Sequence, residues 1–464
     1  MFYSFRVFAA IYGYRTIESN TNMAEYSCFY GGEKERFVDK NQLHIPARYT
    51  VRRKQKGLAQ LQKIRYASQE IHLVHGRNNA DESPDWLGEI FEWLSGNLEV
   101  PVIKRDEAGR IPYSETVFGK QGITPSQPHA ALLMAWMENA LQNGGGSEAL
   151  PKASSPVSGV EHMVVCSHDI DFYYEGMASA FVRLAKNLGI AALLYRSPSF
   201  FASNLRMMME LLGGKHVGEY IPGLLDASEE CGFRSTLFAV AGGNHRRDPN
   251  YRAEQIAAQL SAAAKREFSV GLHGSYGSVV DGGSLKDEAR RIGECVGEKM
   301  LGSRQHWLRF DDHAKLYASL ENAGMIYDSS LGFSETCGFR NGANFAFPPY
   351  DFAKEKPCEF LEIPLVIMDG SLEQASRRGK KPPQELASEI LEQSRKWGWG
   401  GISLLWHNPM EAIQVSREVN EVFWNCARKR KAYGEQWMSA DQFMEQSLGR
   451  YQEAGLLQKV KLDA

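Results

Sequence analysis

The sequence predicts an α/β protein whose core is a deformed (β/α)7-type barrel. From residue 161 onward, short apolar runs alternate with amphipathic segments in six or seven strand–helix units over about 250 residues. Repeats of this kind favour a parallel sheet with helices outside it, and their number favours a closed barrel over an open sheet. Ionisable residues also stand at the carboxyl ends of the predicted strands, where barrel enzymes keep their chemistry. These residues are Asp169, Asp171, His273, Arg309 and His407.

Three further regions complete the predicted organisation. Residues 1–142 contain two amphipathic helical patterns, "SPDWLGEIFEWLSG" and "HAALLMAWMENALQ", and are expected to form an N-terminal α/β accessory domain. Residues 143–160 are rich in glycine, serine and proline and lack apolar periodicity, as a linker should. The barrel is expected over residues 161–408 and a C-terminal helical tail over residues 409–464.

The strands and helices of the barrel follow from their apolar periodicity. The predicted strands are "MVVCSHDID", "STLFAV", "SVGLHG", "HWLRF", "IYDSSLGF", "LEIPLVIMD" and "GISLLWHN". The predicted helices between them are "EGMASAFVRLAKNLG", "AEQIAAQLSAAAKRE", "LKDEARRIGECVGEK", "AKLYASLENAG" and "PPQELASEILEQSRKW". In the tail, "EVNEVFWNCARKRKAYGEQWM" and "DQFMEQSLGRYQEAGLL" are both predicted as helices.

Composition narrows the class of partner. The 464 residues include 43% hydrophobic and 23% charged residues, which is an ordinary globular profile. A formal net charge of -3 gives no electrostatic reason to expect nucleic acid or an anionic membrane as partner. Seven dispersed cysteines without a CxxC pair indicate reduced thiols. The N-terminus is a poor secretion signal and no apolar run is long enough for a membrane span, so a cytoplasmic location is expected.

The stretch "CSHDID", residues 166–171, ends the first predicted barrel strand with two carboxylates. Side chains at i and i+2 of a strand project from the same face, which places Asp169 and Asp171 roughly 6–7 Å apart at Cβ. Unpaired in a low-dielectric setting, the two would repel each other and one would keep its proton. A cation beside them removes this conflict, so the pair indicates a cation site.

Other predicted strand ends deliver polar groups to the same rim. They lie in the stretches "GLHGSYGS", "RQHWLRF" and "LLWHNP". Buried polar groups cost free energy unless they are paired, so stability alone does not explain why four strand ends carry them. The combination favours a catalytic or binding site.

These stretches resemble the motifs of the polysaccharide deacetylases with the NodB homology fold, carbohydrate esterases built on a deformed (β/α) barrel. The resemblance covers roughly residues 161–408 and includes "SHDID", "GLHGSYGS", "RQHWLRF", "YDSSLGF" with "GFRNG", and "LLWHN", in that order. It implies a metal-dependent hydrolase that removes N-acetyl groups from an amino sugar or polysaccharide precursor. A divalent ion, with Zn²⁺ as the expected one, would be the cofactor.

The same resemblance implies roles for individual residues. Asp169 would be the general base, Asp171 and His273 metal ligands, and His407 the general acid. Arg309 is the best match by spacing for the arginine that orients the base, and Arg304 is the second. The residues Arg304, His306, Trp307 and Arg340 are expected to border the substrate groove.

One position departs from the family pattern. Members usually carry a second metal-binding histidine four residues after the first, and Gly277 stands there in this chain. The third ligand can then be the hydroxyl of Ser275 or Ser278, a water held by one of them, or His306 from the neighbouring strand. Catalytic Zn²⁺ sites normally keep three protein ligands and an open position.

Two other functions remain compatible with the sequence. One is a catalytically silent carbohydrate-binding barrel, which the missing histidine would suit. The other is a hydrolase of the same superfamily that cleaves a small-molecule C–N (non-peptide) amide bond, since some such relatives lack bound metal. The expected partner in the main hypothesis is an amino-sugar oligosaccharide or an activated sugar precursor, and the oligomeric state is left open.

Overall fold

The computed structural model of the protein describes most of the chain. The described residues are 2–12, 27–30, 42–45, 61–66, 69–74, 85–143, 150–171, 177–195, 198–213, 220–243, 245–249, 251–278, 284–310, 313–407 and 415–458. Every residue expected at the site lies within these ranges, whereas residues 144–149 of the expected linker lie outside them.

Helices and strands are numbered in chain order. The α-helices are α1 (Phe2–Tyr12), α2 (Trp86–Leu94), α3 (Val117–Gln121), α4 (His129–Asn143), α5 (Met177–Ile190), α6 (Pro198–Leu212), α7 (Tyr220–Glu230), α8 (Ala257–Lys265), α9 (Ser284–Val296), α10 (His313–Ala323), α11 (Asp369–Gly379), α12 (Pro383–Trp397), α13 (Arg417–Lys429) and α14 (Ala440–Glu453). The strands are β1 (Ser27–Tyr30), β2 (Gln42–Ile45), β3 (Gln62–Tyr66), β4 (Gln69–Leu73), β5 (His162–Ile170), β6 (Thr236–Ala239), β7 (Ser269–Gly274), β8 (Gly302–Gln305), β9 (Tyr327–Asp328), β10 (Tyr350–Asp351), β11 (Lys356–Pro357), β12 (Leu361–Glu362), β13 (Leu365–Met368), β14 (Gly400–Leu405) and β15 (Glu435–Met438).

One parallel sheet positions the candidate site. Its strands follow the order β12-β9-β8-β7-β6-β5-β14-β13, and α8 and α9 pack on β7 while α12 packs on β14. The sheet curls until its two edges meet. The Leu365 amide in β13 donates to the Leu331 carbonyl just after β9 (3.1 Å), and Gly332 forms a parallel bridge with Leu365. The predicted deformed (β/α) barrel is therefore confirmed.

Strand β5 has different neighbours along its two halves on one side. Its first half, His162 to Val165, pairs with β15, and its second half, from Ser167 to Ile170, pairs with β6. The Ala440 amide, which follows β15, donates to Thr236 Oγ1 in β6 (2.7 Å). The C-terminal region is thus part of the sheet as well as a helical layer.

Three segments differ from the sequence prediction. The predicted strand "LEIPLVIMD" forms two strands, β12 and β13, at opposite ends of the strand order, and Pro364, which has no N–H to donate, lies between them. The predicted strand "HWLRF" begins as a 3₁₀ turn, His306–Leu308, because Trp307 and Leu308 have φ of 64° and 50°, which strand geometry does not allow. The strand is instead the preceding β8. Residues 435–438, predicted as helix, form β15 because Gly434, at φ 65°, ends the helical turn before them. The predicted helices of the barrel are confirmed.

The described part of the N-terminal region packs against the barrel. Tyr3 Oη donates to the Pro348 carbonyl (2.8 Å), and Trp399 Nε1 donates to the Ile11 carbonyl (3.0 Å). Apolar residues of α1, α2 and α4 belong to the same hydrophobic cluster as those of β5, β6 and β7. The division of the chain at residue 142 stays a prediction.

Membrane crossing and thiol state were also expectations from the sequence. Among the helices described, none combines the length and apolarity that crossing a bilayer requires. The described cysteines are free thiols, as their dispersed spacing predicts: Cys166, Cys231, Cys295, Cys337, Cys358 and Cys426.

We expect Gly302→Ala to destabilise the fold. A Cβ at Gly302 would lie 2.0 Å from Cε2 of the buried Tyr327 ring, whose hydroxyl donates to Asp441 (2.7 Å). Overpacking of this kind costs about 1–3 kcal/mol, which urea denaturation would measure as a lower free energy of unfolding. Gly223→Ala in α7 is the control, since its Cβ would meet nothing within 4 Å. Equal losses in the two variants would contradict the described packing.

A buried carboxyl pair makes stability depend on pH. Burial, reinforced by Asp328, raises the pKa of Glu362 well above its usual range, so the folded chain keeps a proton that the unfolded chain releases. The free energy of unfolding should therefore fall as pH rises above the ordinary glutamate pKa. Glu362→Gln cannot ionise and keeps an acceptor for the Leu331 amide (2.7 Å), so it should flatten this fall.

The control for this pH effect is Glu359→Gln, because the Glu359 side chain is 51% exposed. The free energy of unfolding of both variants and of the unaltered protein is measured by chemical denaturation between about pH 4 and 9. This interval of about five units spans the ordinary glutamate pKa. If the free energy of unfolding of Glu362→Gln fell with pH as steeply as that of the unaltered protein, a buried proton on Glu362 would be ruled out.

Candidate functional site

Three imidazoles face the carboxylate of Asp171, which lies directly after β5. His273 Nε2 is 3.3 Å and His306 Nε2 is 3.8 Å from Asp171 Oδ1, while His407 Nε2 is 3.6 Å from Oδ2. Burial opposes ionisation of Asp171, but the charges of these imidazoles outweigh it and lower its pKa. The structure thus brings together residues from β5, β7, the turn after β8 and the end of β14, as the strand-end pattern predicts.

Two of the imidazoles are oriented by an oxygen within hydrogen-bond distance of Nδ1. The contacts are His273 Nδ1 to the Arg304 carbonyl (2.9 Å) and His407 Nδ1 to Asp369 Oδ1 (2.9 Å). An acceptor at Nδ1 favours a proton on that atom, and the Nε2 atom of each ring is then left to face the site. His306 Nδ1 lies 3.7 Å from Asp248 Oδ1, which is longer than a hydrogen bond but places a carboxylate behind this ring, and its Nε2 also faces Asp171.

Asp171, His273 and His306 fit a divalent cation. Each offers one ligand atom, and these atoms lie within 4.8 Å of one another. Asp171 Oδ1 is buried and accepts no hydrogen bond from the described residues, although two imidazole nitrogens lie beside it. A cation in that position would satisfy an otherwise orphaned acceptor. One carboxylate and two histidines form a ligand set that suits Zn²⁺ and other first-row ions.

Of the alternatives for the third ligand, His306 has the best geometry. Ser275 Oγ donates to Glu288 Oε1 (2.6 Å), and Ser278 Oγ donates to the Ser275 carbonyl (2.7 Å), so both hydroxyls are engaged in holding their own loop. Gly277 is exposed, and a Cβ built there would meet nothing within 4 Å. Residue 277, where the family pattern places a second histidine, therefore offers no side-chain ligand. His306, directly after β8, lies beside the carboxylate of Asp171 instead.

Asp169 is held by Arg304, which is fully buried on β8. Arg304 Nη1 donates to Asp169 Oδ1 (2.9 Å) and Ser167 Oγ (2.8 Å). Its remaining donors bond the Ser329 carbonyl, Ser329 Oγ and Ser403 Oγ at 2.8–2.9 Å. All five N–H groups of the guanidinium thus have acceptors. The other carboxylate oxygen, Asp169 Oδ2, lies 3.6 Å from His273 Nε2 and faces the candidate cation site.

This geometry corrects two expectations about arginines. Arg309, preferred from spacing as the partner of the base, donates instead to the Tyr276 carbonyl (2.5 Å), because the strand ends before the turn and not at Arg309. Arg340, expected to border the substrate groove, is buried. Its guanidinium pairs with Glu99 of the N-terminal region (2.7 Å) and donates to the Gly332 carbonyl (2.6 Å).

His407 and Asp369 form a second polar pair. His407 Nδ1 is 2.9 Å from Asp369 Oδ1, and the His407 backbone amide donates to Asp369 Oδ2 (2.8 Å). Burial disfavours the imidazolium, but the carboxylates of Asp369, Asp171 and Asp169 outweigh it and raise the pKa of His407 to about 10. Asp369 lies directly after β13, and a carboxylate at the end of a predicted strand is the sequence signal that it belongs to this rim.

Trp307 stands at the open side of the site. The residue is 41% exposed, and the guanidinium carbons of Arg247 and Arg110 lie 5.1 Å and 5.7 Å from the centroid of its ring. Its left-handed backbone aims the indole outward next to His306, whose ring centroid is 6.0 Å away. Sequence reasoning missed Arg110, which the N-terminal region supplies, because nothing in a linear sequence shows that residues near 110 reach the barrel rim.

Comparison with known proteins gives distant likenesses only. No family model and no curated protein matches the chain. Among solved structures, Puue allantoinase is 12% identical with a TM-score of 0.41, over 69% of this chain and 97% of that one. The peptidoglycan deacetylase PdaC from Bacillus subtilis is 11% identical with a TM-score of 0.31, over 63% and 95%. A CE4 family pseudoenzyme from Bacillus anthracis is 10% identical with a TM-score of 0.32, over 61% and 66%.

Likenesses of this extent carry no argument about activity. The three proteins also differ in what their names state: an allantoinase, a peptidoglycan deacetylase and a pseudoenzyme. The function of the chain is therefore inferred from the geometry of its site.

We expect the chain to bind one divalent cation through Asp171, His273 and His306. His306→Ala should abolish tight binding, and Asp248→Asn should weaken it by about 10–100-fold, the usual effect of losing the carboxylate that orients a histidine ligand. Isothermal titration with Zn²⁺ and the visible spectrum of the Co²⁺ form provide the measurements. Ser275→Ala is the matched control and should bind like the unaltered protein; weakening in Ser275→Ala with unchanged affinity in His306→Ala would assign the third ligand to the serine loop.

Proposed function

We propose that the protein is a Zn²⁺-dependent hydrolase that removes N-acetyl groups from an amino sugar or a polysaccharide precursor. The observation that carries this proposal is that two proton-transfer groups, Asp169 and His407, lie beside the candidate ligands and are each held by a partner of their own. Asp169 is held by Arg304, and His407 is held by Asp369. Metal-assisted amide hydrolysis requires a general base and a general acid beside one set of metal ligands, and here each of the two is oriented by its own hydrogen-bond partner.

The cation would be held by Asp171, His273 and His306. When bound, it supplies Lewis-acid polarisation of the acetamide carbonyl and acidifies a nearby water molecule. The remaining chemistry belongs to the residues around it.

Asp169 is the general base in this proposal. Arg304 fixes Oδ1, so Oδ2 is left to accept the proton of the attacking water on the side that faces His273. The buried guanidinium donates a charge-assisted hydrogen bond, which holds the carboxylate in one orientation. Arg304 itself is 0% exposed and is a positioning residue, so it is not available to bind substrate as the sequence suggested.

His407 is the general acid. The carboxylates around it favour its protonated form, and its Nε2 faces the site because Nδ1 is engaged with Asp369. Transfer of the Nε2 proton to the departing nitrogen allows the C–N bond to break, since an amine leaves far more readily than an amide anion. Asp369 orients the ring and stabilises its charge.

The substrate would enter beside Trp307. Aromatic side chains pack against the apolar faces of sugar rings, and this indole is exposed next to His306 of the candidate site. The sequence predicts that His306 binds substrate, whereas in this proposal His306 is a ligand of the cation. A cytoplasmic amino-sugar precursor remains the substrate class that we favour.

We expect Asp169→Asn and His407→Ala to lower kcat by about 10²–10⁴-fold, which is the usual contribution of one general acid or base. Acetate release from N-acetylglucosamine oligomers by the Zn²⁺-loaded protein provides the measurement, with circular dichroism to confirm that both variants fold. Arg309→Lys, at a residue outside the Asp169 network, is the matched control and should retain kcat.

Three results would overturn the proposal. Unaltered rates in either variant would remove the assigned roles. Hydrolysis of a cyclic amide with no acetate release would assign the site to the other C–N hydrolase class, and metal binding without either activity would favour the silent carbohydrate-binding barrel.

A further inference from the structure

Two helices that pack on each other follow the candidate site in the chain. They are helix α5, with the π-helical turn Ala191–Tyr195 that continues it, and α6, and we call their described residues, 177–195 and 198–212, the helical hairpin. Its two arms are joined inside by Asn187 Nδ2, which donates to Asn204 Oδ1 (3.1 Å), and both of these side chains are buried. Leu184 is buried at 1% exposure in the same interior.

The outer surface of the helical hairpin carries large apolar side chains in the open. They are Leu193 (83% exposed), Val182 (70%), Leu212 (69%), Met209 (65%), Phe181 (42%), Leu205 (39%) and Phe201 (38%). No described residue of the helical hairpin belongs to either hydrophobic core of the protein. Phe201, Leu205 and Met209 recur every four residues and therefore share one face of α6, and exposed apolar residues grouped in this way indicate an interaction site.

The charge of the same segment indicates what covers that surface. Residues 177–212 contain Arg183, Lys186, Arg196 and Arg206 against a single acidic residue, Glu210. The chain as a whole has a net charge of -3, so the positive excess is local and is hidden in the total. Exposed apolar residues next to Lys186 and Arg206 form the pattern that binds an anionic lipid surface.

A second copy of the chain fits this surface less well. Two identical faces with the same positive excess would repel each other across a symmetric interface. Helices α5 and α6 span 14 and 15 residues, which is too short to cross a bilayer but sufficient to lie in its interface. Leu193 lies in the turn between the two arms, at the tip of the helical hairpin, where it can enter the lipid first.

We propose that the helical hairpin docks the protein on an anionic membrane surface, with Leu193 and Val182 inserted among the acyl chains and the basic residues at the headgroups. Helix α5 begins six residues after Asp171 in the chain, so the docked segment adjoins the strand that carries the candidate site. The proposal concerns where the protein acts, and it does not depend on the hydrolytic chemistry proposed above.

Vesicle sedimentation with the full-length protein tests this inference. Binding is expected to vesicles of phosphatidylcholine mixed with phosphatidylglycerol, to be weak on phosphatidylcholine alone, and to fall with added salt. The double variant Val182→Glu, Leu193→Glu should lose about tenfold or more of its partition onto the mixed vesicles, because two apolar anchors become charges that the anionic surface repels.

Ile103→Glu is the matched control. Ile103 is 91% exposed but lies outside the helical hairpin, so this variant should bind vesicles like the unaltered protein. Light scattering in solution, thermal unfolding and acetate release from a soluble substrate are measured on the same preparations. The double variant should keep its melting temperature and its rate on the soluble substrate, which separates this test from that of the catalytic proposal.

Three results would overturn the inference. The first is vesicle binding that the double variant retains in full. The second is an absence of binding to the mixed vesicles. The third is a dimer of the unaltered protein that the two glutamates dissociate, which would assign the surface to a second copy of the chain.

Discussion

The candidate site depends on one guanidinium that has no access to solvent. Arg304 lies inside the barrel with all five donors bonded, to Asp169, Ser167, Ser329 and Ser403. Burying a charge is costly unless it is paired and its hydrogen bonds are complete, and both conditions are met here. The partners come from β5, β14 and the segment after β9, so one side chain on β8 fixes how four parts of the barrel meet. Its backbone carbonyl also orients His273, which links the base to the cation site.

Much of this arrangement can be predicted from the sequence. Strand and helix periods predict the barrel, and the alternation of side chains along β5 places Asp169 and Asp171 on one face and His168 on the other. His168 is indeed turned away, with Nδ1 2.9 Å from the Trp406 carbonyl. The strand ends that carry His273 and His407 could be identified because parallel strands deliver their carboxyl ends to one rim.

The parts that could not be predicted depend on contacts between distant segments. Whether Arg304 or Arg309 holds the base depends on where β8 ends. The strand ends before Trp307 because Trp307 and Leu308 have positive φ angles, which residue propensities do not predict. His306 could be identified as the third ligand only from its distance to Asp171, because a ligand from another strand has no fixed sequence spacing to the first histidine. Arg340 faces inward because Glu99, 241 positions away in sequence, lies against it.

The pairing of β5 with β15 has a consequence for how the chain reaches this state. His162 and Glu435 are partners although about 270 residues separate them, so the first half of β5 lacks this neighbour until the residues of β15 have been made. Distant pairings close slowly because the entropy of a long loop is lost before any contact offsets it. Synthesis that stops short of β15 would leave an exposed strand edge from His162 to Val165, open to association with other unfinished chains.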